Sequence, residues 1–509
     1  MQYTTEIVLG GQNFTVVVDT GSTDLWVDAR GLDLQLSNNT DIHVNFSYAL
    51  GGVSGNIAFA DLKIGPYTLP NQAFVNATEV DDFPGEIRGL IGMAFDNAAL
   101  WHEMMVHWGV DSANRLGRAP ITHLFTQNSS AAGYFDLELS RSDVEGVEHD
   151  GHFFFGQHLP EMDSALQKAP KIERVNTLHW TLQMDGMKIN GKPFTSWNKS
   201  VIDGIPQGSV AVPLDSGFSY PQLPDPAVRA IYGSIPGAVF YPGNIPGTDN
   251  GLSGTNWVVP CNVSANISFS FGGQDYPVHP RDLVVYYDGI KLDTVDGVDM
   301  VANNTVCINR YQPGQGDGES YDMLLGMAFL RNVYASFNYG NYTPPGSNIT
   351  GQQPFVQMVS VVEPDKAWAD FTTYAAQKLA NSAPAIEPAS FVKLLNDFSS
   401  LSASAGSGSV ASNGSSSQNA TVVAGDLAVS GAATSESDSD SSKDLNKYAP
   451  VAVGLLGANV AVGLAILGVT LTMCLRGSRN RRESRYKPLR LPKDDTDIDA
   501  DHGPSYSDA

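Results

Sequence analysis

Basic residues are scarce in this chain. Its 509 residues include 30 Lys and Arg against 54 Asp and Glu, a formal net charge of −24. A protein that neutralises nucleic-acid phosphates needs a basic face, and none can be assembled here, so a nucleic-acid partner is excluded. Cysteine is scarcer still, with three in all. Cys474 falls inside a long apolar run, which leaves Cys261 and Cys307 as one available pair. The opening residues, MQYTTEIVLGG, hold no apolar signal-peptide core. Two hydrolase patterns also fall short. In HEMMVH, from His102 to His107, the second histidine comes one residue too late to share a helical face with the first. GFSYP, from Gly217 to Pro221, ends in proline where a serine nucleophile elbow requires glycine.

What the chain does contain is a repeat. VVVDTGSTDLWV, from Val16 to Val27, and VPLDSGFSYPQ, from Val212 to Gln222, each end an apolar run at Asp, a small hydroxyl residue and Gly. Downstream of the first lies GLIGMAF, Gly89 to Phe95, and downstream of the second lies MLLGMAFL, Met323 to Leu330. A lone Asp-Thr-Gly is ordinarily a turn. Two copies, each followed in the same order by an aliphatic-Gly-Met-Ala-Phe run, point instead to a duplicated lobe. Two such lobes packed about an approximate two-fold axis would each bring one carboxylate, Asp19 and Asp215, to a shared cleft.

Up to about Tyr342, short β-branched and aromatic runs are broken by Gly, Pro, Asn and Asp, which predicts a mostly β, largely antiparallel protein. Strands are expected at 6–9, 15–19, 56–64, 153–155, 181–189 and 266–271, with short helices at 121–127 and 226–232. The expected organisation is an N-terminal lobe over 1–168, a C-terminal lobe over 169–345, and an extension of no assigned role over 346–398. A Ser/Gly-rich stalk follows over 399–447, too poor in apolar residues to build a core. Ala449 to Leu475 is uncharged and long enough for one membrane helix. Arg476, Arg479, Arg481 and Arg482 follow it, which places the 476–509 tail in the cytoplasm and the preceding domain outside the cell or in a lumen. Sequons at Asn13, Asn45, Asn76, Asn128, Asn262, Asn303 and Asn341 fit such an oxidising compartment and a glycoprotein. That orientation is normally begun by an N-terminal signal, so the expectation is a start missing from this sequence.

NFTVVVDTGSTDLWV, NFSYALGGVSG from Asn45 to Gly55, GLIGMAF, VPLDSGFS and LLGMAFL occur in the order found in pepsin-like aspartic peptidases, which residues 2–340 resemble. The stalk and tail resemble those of membrane-attached fungal members. The resemblance implies a bilobal β fold with a long cleft, in which Asp19 and Asp215 are the catalytic pair of an aspartic endopeptidase. It implies that Thr20, Ser22 and Ser216 brace the loops, and that Tyr48 and Gly51 belong to a flap over extended peptide or protein substrates, with Trp26 beside Tyr48. It also implies a second-lobe disulfide between Cys261 and Cys307. No metal or other cofactor is implied, and a monomer is expected, its one other partner being the lipid bilayer.

The pattern breaks at one position. The family places Ser or Thr after the glycine of each turn; Ser22 keeps the rule and Phe218 breaks it. Without that hydroxyl, Asp215 is expected to hold the shared proton and Asp19 to act as base, with the acid limb of activity moved upward. The same departure is the sequence argument for the alternative, a catalytically inactive peptide-binding or cell-surface glycoprotein on the same fold.

Overall fold

The computed structural model describes residues 3–48, 51–81, 83, 87–95, 99–127, 132–141, 151–246, 248, 255–290, 303–341 and 351–405. The first lobe is built on seven strands: β1 Thr4–Leu9, β2 Gln12–Asp19, β3 Leu25–Val27, β4 Leu36–Ser47, β5 Gly52–Ile64, β6 Tyr67–Asp81 and β7 Gly89–Gly92. They order as β1-β2-β7-β3-β6-β5-β4, and β1 also pairs with β5, so the sheet folds back on itself. Alternation in β1 and β2 turns Ile7, Leu9, Phe14 and Val16 into the core. Trp26, Val44, Val53, Ile57 and Val75 build a second cluster on the opposite face, sealed by the helix Ala99–Trp108. His102 and His107 lie on that helix, both exposed.

The second lobe distributes its strands over smaller sheets. Ile267–Phe271 pairs with Gly186–Ile189 and Gln274–Pro277, while Asn256–Val259 pairs with Val239–Tyr241 and Asn304–Asn309. The single strand expected over 181–189 is two. Thr181–Met184 pairs with Val210–Pro213, and after Asp185 the chain turns to a different partner at Gly186–Ile189. Cys261 and Cys307 form the disulfide, with Cα atoms 5.2 Å apart, at the end of the pairing of Val259 with Cys307.

A five-stranded antiparallel sheet joins the halves. Its order is Ile172–Glu173, Phe355–Ser360, Val333–Asn338, Tyr134–Glu138, His152–Phe155. Strands from residues 134–155 and 333–360 are therefore neighbours, and the chain past 345 is part of this floor.

Residues 364–405 continue the body as two helices, Pro364–Ala380 and Pro388–Ala405. The first packs Arg281 over the Tyr374 ring at 3.8 Å and pairs Arg281 with Asp370 at 3.1 Å. The second buries Phe391, Val392 and Leu395 against Tyr241, Ile245, Val258, Val306 and Ile308. Thr305 stitches the link between them by accepting and donating backbone bonds with Pro384 and Ile386. The second helix runs through 399–405, where a stalk was expected; the apolar anchors one turn earlier carry the Ser/Ala sequence into helix. Among the described residues no helix is long and apolar enough to cross a membrane, and the apolar run 449–475, the rest of the stalk and the tail lie outside them.

Candidate active site

Each Asp-hydroxyl-Gly turn is pinned by the Gly-Met-Ala-Phe run of its own lobe. In the first lobe β2 and β7 run parallel, Val18 opposite Ile91 and Asp19 opposite Gly92, and Met93 N donates to Asp19 O at 2.7 Å. In the second, Leu214 bridges Leu325 in parallel, Asp215 N donates to Leu325 O at 3.0 Å, and Met327 N donates to Phe218 O at 2.8 Å. The glycine opening each run is required by close approach: a Cβ on Gly92 would stand 2.3 Å from the Thr23 carbonyl carbon, and one on Gly326 would stand 2.1 Å from Phe218 O.

The two turns lock to each other through hydroxyls. Thr20 N donates to Ser216 Oγ at 3.0 Å and Ser216 N donates to Thr20 Oγ1 at 2.9 Å. Each hydroxyl then donates across the interface, Thr20 Oγ1 to Leu214 O and Ser216 Oγ to Val18 O, both at 2.7 Å. Thr20 and Ser216 are fully buried, so every donor lost here would leave a partner without water to replace it. Only a short side chain carrying one donor and two acceptor sites can make both bonds, which is why hydroxyl residues occupy both positions.

This lock brings Asp19 and Asp215 together. Their carboxyl groups are in hydrogen-bonding contact, and Asp19 is 5% exposed. Gly21 N donates to Asp19 Oδ1 and Gly217 N to Asp215 Oδ1, both at 2.8 Å. Ser22 Oγ adds a third donor, to Asp19 Oδ2 at 2.5 Å; the corresponding Phe218 carries no hydroxyl to offer Asp215. Burial, then the charge of Asp19 and the bond to it, pushes the Asp215 carboxyl well above the usual carboxylate range, against the backbone N–H groups of Gly217 and Phe218. The pair can therefore hold one proton, on Asp215, at a pH where Asp19 is ionised.

Tyr48 follows the end of β4, close enough to feel the charge of Asp19; Tyr48 N donates to Gly51 O at 3.1 Å and Gly51 takes a φ of 76°. Burial and the charges of Asp19 and Asp24 hold its phenol protonated well above the ordinary range. Trp26 is 0% exposed, with its indole near Tyr48. Phe83 stands between them, edge-on to Trp26 at 4.9 Å and to Tyr48 at 5.7 Å. Among the described residues the Trp26 indole N–H finds no acceptor at full hydrogen-bond geometry, yet it lies near enough to the Tyr48 oxygen to favour its charged form.

Two residues missed in the sequence also belong here. Trp180 donates its indole N–H to Met93 O at 2.9 Å, as Tyr339 does its hydroxyl at 2.7 Å, so second-lobe aromatics clamp the first-lobe Gly-Met-Ala-Phe run. His179, next in the chain to Trp180, sets Nδ1 3.1 Å from Gly21 O. Neither sits in a repeated motif, and only folding brings them within reach of residues 158 and 87 positions away.

A family model described as eukaryotic aspartyl protease matches residues 2–344. Among curated proteins, the aspartic-type endopeptidase ctsD of Aspergillus fumigatus is 23% identical over 354 residues, covering 65% of this chain and 62% of its own. An aspartic protease of Phaffia rhodozyma is 23% identical, covering 67% of this chain and 74% of its own. The probable aspartic-type endopeptidase opsB of Aspergillus fumigatus is 26% identical, covering 67% of each. The chain thus spans less than two thirds of the length of the first of these.

Proposed function

Because this chain belongs to the eukaryotic aspartyl protease family, we propose that Asp19 and Asp215 hydrolyse peptide bonds in extended peptides or protein segments laid between its lobes. The observation that carries this reading is the reciprocal lock of Thr20 and Ser216, which puts one carboxylate from each lobe in contact. Two carboxylates so close cannot both ionise cheaply, the behaviour for which this family is known.

Asp19, ionised and braced by Gly21 N and Ser22 Oγ, takes a proton from water as the water oxygen attacks the peptide carbonyl carbon. Asp215 gives its proton to the carbonyl oxygen, forming a gem-diol. Collapse of the diol breaks the C–N bond; the amine leaves with the proton held by Asp19, and Asp215 recovers one from a diol hydroxyl. Tyr48 and the flap behind it exclude bulk water while this happens. Cleavage of an unstructured protein at acidic pH, blocked by pepstatin and by Asp19→Asn, tests the assignment; cleavage that survives Asp19→Asn would refute it.

The body is held at a membrane by Ala449–Leu475, with the catalytic lobes outside the cell or in a lumen. The uncharged run and the arginines after it support that reading. Carbonate-washed membranes should retain the full chain, and protease nicking of the 406–447 segment should release an active body. Recovery in the carbonate supernatant would argue against an anchor.

A further inference from the structure

His179 enters the active site from the second lobe, and no motif announces it. Its neighbour Trp180 is completely buried and fixed by its bond to Met93 O, so the imidazole has little freedom in where it points. It points at the peptide that follows Gly21. That residue's N–H donates to Asp19 Oδ1, and a Cβ added to it would stand 2.4 Å from the Asp215 carboxylate. Holding the Gly21 carbonyl therefore holds the backbone that seats both acids.

The acceptor is a carbonyl, so Nδ1 must carry the hydrogen. The charged and titratable groups around the ring are Asp19 on the first-lobe loop, and Asp317 and Tyr321 on the second-lobe loop Gly314–Asp322. Against its partial burial, the Asp317 carboxylate is held below the usual carboxylate range by the Ser320 hydroxyl and by the backbone N–H groups of Ser320 at 2.6 Å and Glu319 at 3.0 Å, which donate to it. Tyr321 places its ring edge-on to the imidazole at 6.4 Å. Burial lowers the imidazole's proton affinity, while the Gly21 carbonyl and the charges of Asp317 and Asp19 work against that. The ring is neutral near neutrality and charges on acidification.

We propose that His179 is a positioning residue for the Asp19 loop: it clamps the Gly21 carbonyl across the lobe interface, and in acid it sets a positive charge beside Asp19 that keeps that carboxylate ionised. An imidazolium there opposes the second protonation of the pair, the event that ends activity on the acid side. The proposal rests on the peptidase reading, and its test separates the two.

The test is the pH profile of kcat/KM for the full chain and its His179→Gln and His179→Ala variants on an unstructured peptide. Nitrogen-15 NMR of the imidazole in the parent and in Asp19→Asn, assigned by the resonance missing from His179→Gln, runs alongside it. Glutamine keeps a donor for Gly21 O but no charge, so kcat should stay within about threefold while the acid limb moves up by roughly half a pH unit or more. Alanine loses donor and charge together and should cost about tenfold in kcat with KM little changed. The spectra should show the Nδ1–H tautomer, titrating at lower pH once Asp19 is neutralised. Coincident pH profiles for parent and His179→Gln, an Nε2–H tautomer, or a titration indifferent to Asp19→Asn would overturn the proposal. A parent that cleaves nothing at any pH would defeat the peptidase reading instead, and the spectra would still decide His179.

Discussion

Gly217 lies directly against Asp19, so close that a β-carbon on it would stand 2.4 Å from Oδ1. Gly21 stands in the same relation to Asp215, at 2.4 Å from Cγ. Neither glycine has a positive φ, so both are required by contact with the opposite carboxylate and not by the turn itself. Gly217→Ala should leave a folded protein whose two acids are pushed apart. Displacement on the order of an ångström lowers kcat/KM by about 100-fold or more. Peptide cleavage and pepstatin affinity should fall together.

Thr20→Val keeps the shape of the lock and removes its hydroxyl. Leu214 O then loses its donor and Ser216 N its acceptor, both in a buried interface. Stability should drop by on the order of 3 kcal/mol. Urea unfolding measures this directly, and Thr20→Ser should recover most of it.

Phe218→Thr offers Asp215 a hydroxyl like the one Ser22 gives Asp19. A donor to the carboxylate favours its charged form and lowers a proton affinity that burial and Asp19 now raise. Asp215 is the proton-holding member, so the sign is settled: the variant loses its catalytic proton at lower pH, and the alkaline limb of kcat/KM should move down by about one unit. The acid limb should move less. The sequence alone suggested an effect on the acid limb; the asymmetry of donors around the pair transfers it to the other side.

Phe391→Ala probes the helices beyond the family match, which ends at residue 344. Phe391 is 0% exposed in the cluster with Tyr241, Ile245 and Ile308. Its truncation should cost about 3–5 kcal/mol. Thermal unfolding should show it, while the folded fraction keeps its specific activity. An unchanged melting temperature would mean that this helix is not part of the cooperative body.

The parts of the site legible in the sequence were those repeated in it. Asp19, Thr20, Asp215 and Ser216 stand in two copies of one turn, and each copy carries its own Gly-Met-Ala-Phe run, so comparing the chain with itself was enough. His179 and Trp180 act on the first turn and on its Gly-Met-Ala-Phe run from places with no internal counterpart. Their partners, Gly21 O and Met93 O, are backbone atoms that leave no residue-type signal. Strand positions followed from apolar alternation, but the break at Asp185 did not, because apolar residues recur on both sides of it and only tertiary pairing divides the two segments. The helices at 364–405 were obscured by mixed composition: the second is seated by Phe391, Val392 and Leu395, with Leu394 and Phe398 packed beside them, and the Ser/Ala-rich sequence that follows carries no apolar period of its own.

The floor of the cleft has a bearing on when the protein comes into being. Tyr134–Glu138 pairs on one side with nearby His152–Phe155, but on the other side its neighbour is Val333–Asn338, which in turn is flanked by Phe355–Ser360. A nascent chain leaving the ribosome has no such neighbour to offer until nearly all of the body has emerged, and such distant pairing is slow to form. The first half brings Asp19 alone, so on the proposed reading the carboxylate pair cannot form while the second half, with Asp215, is still being translated.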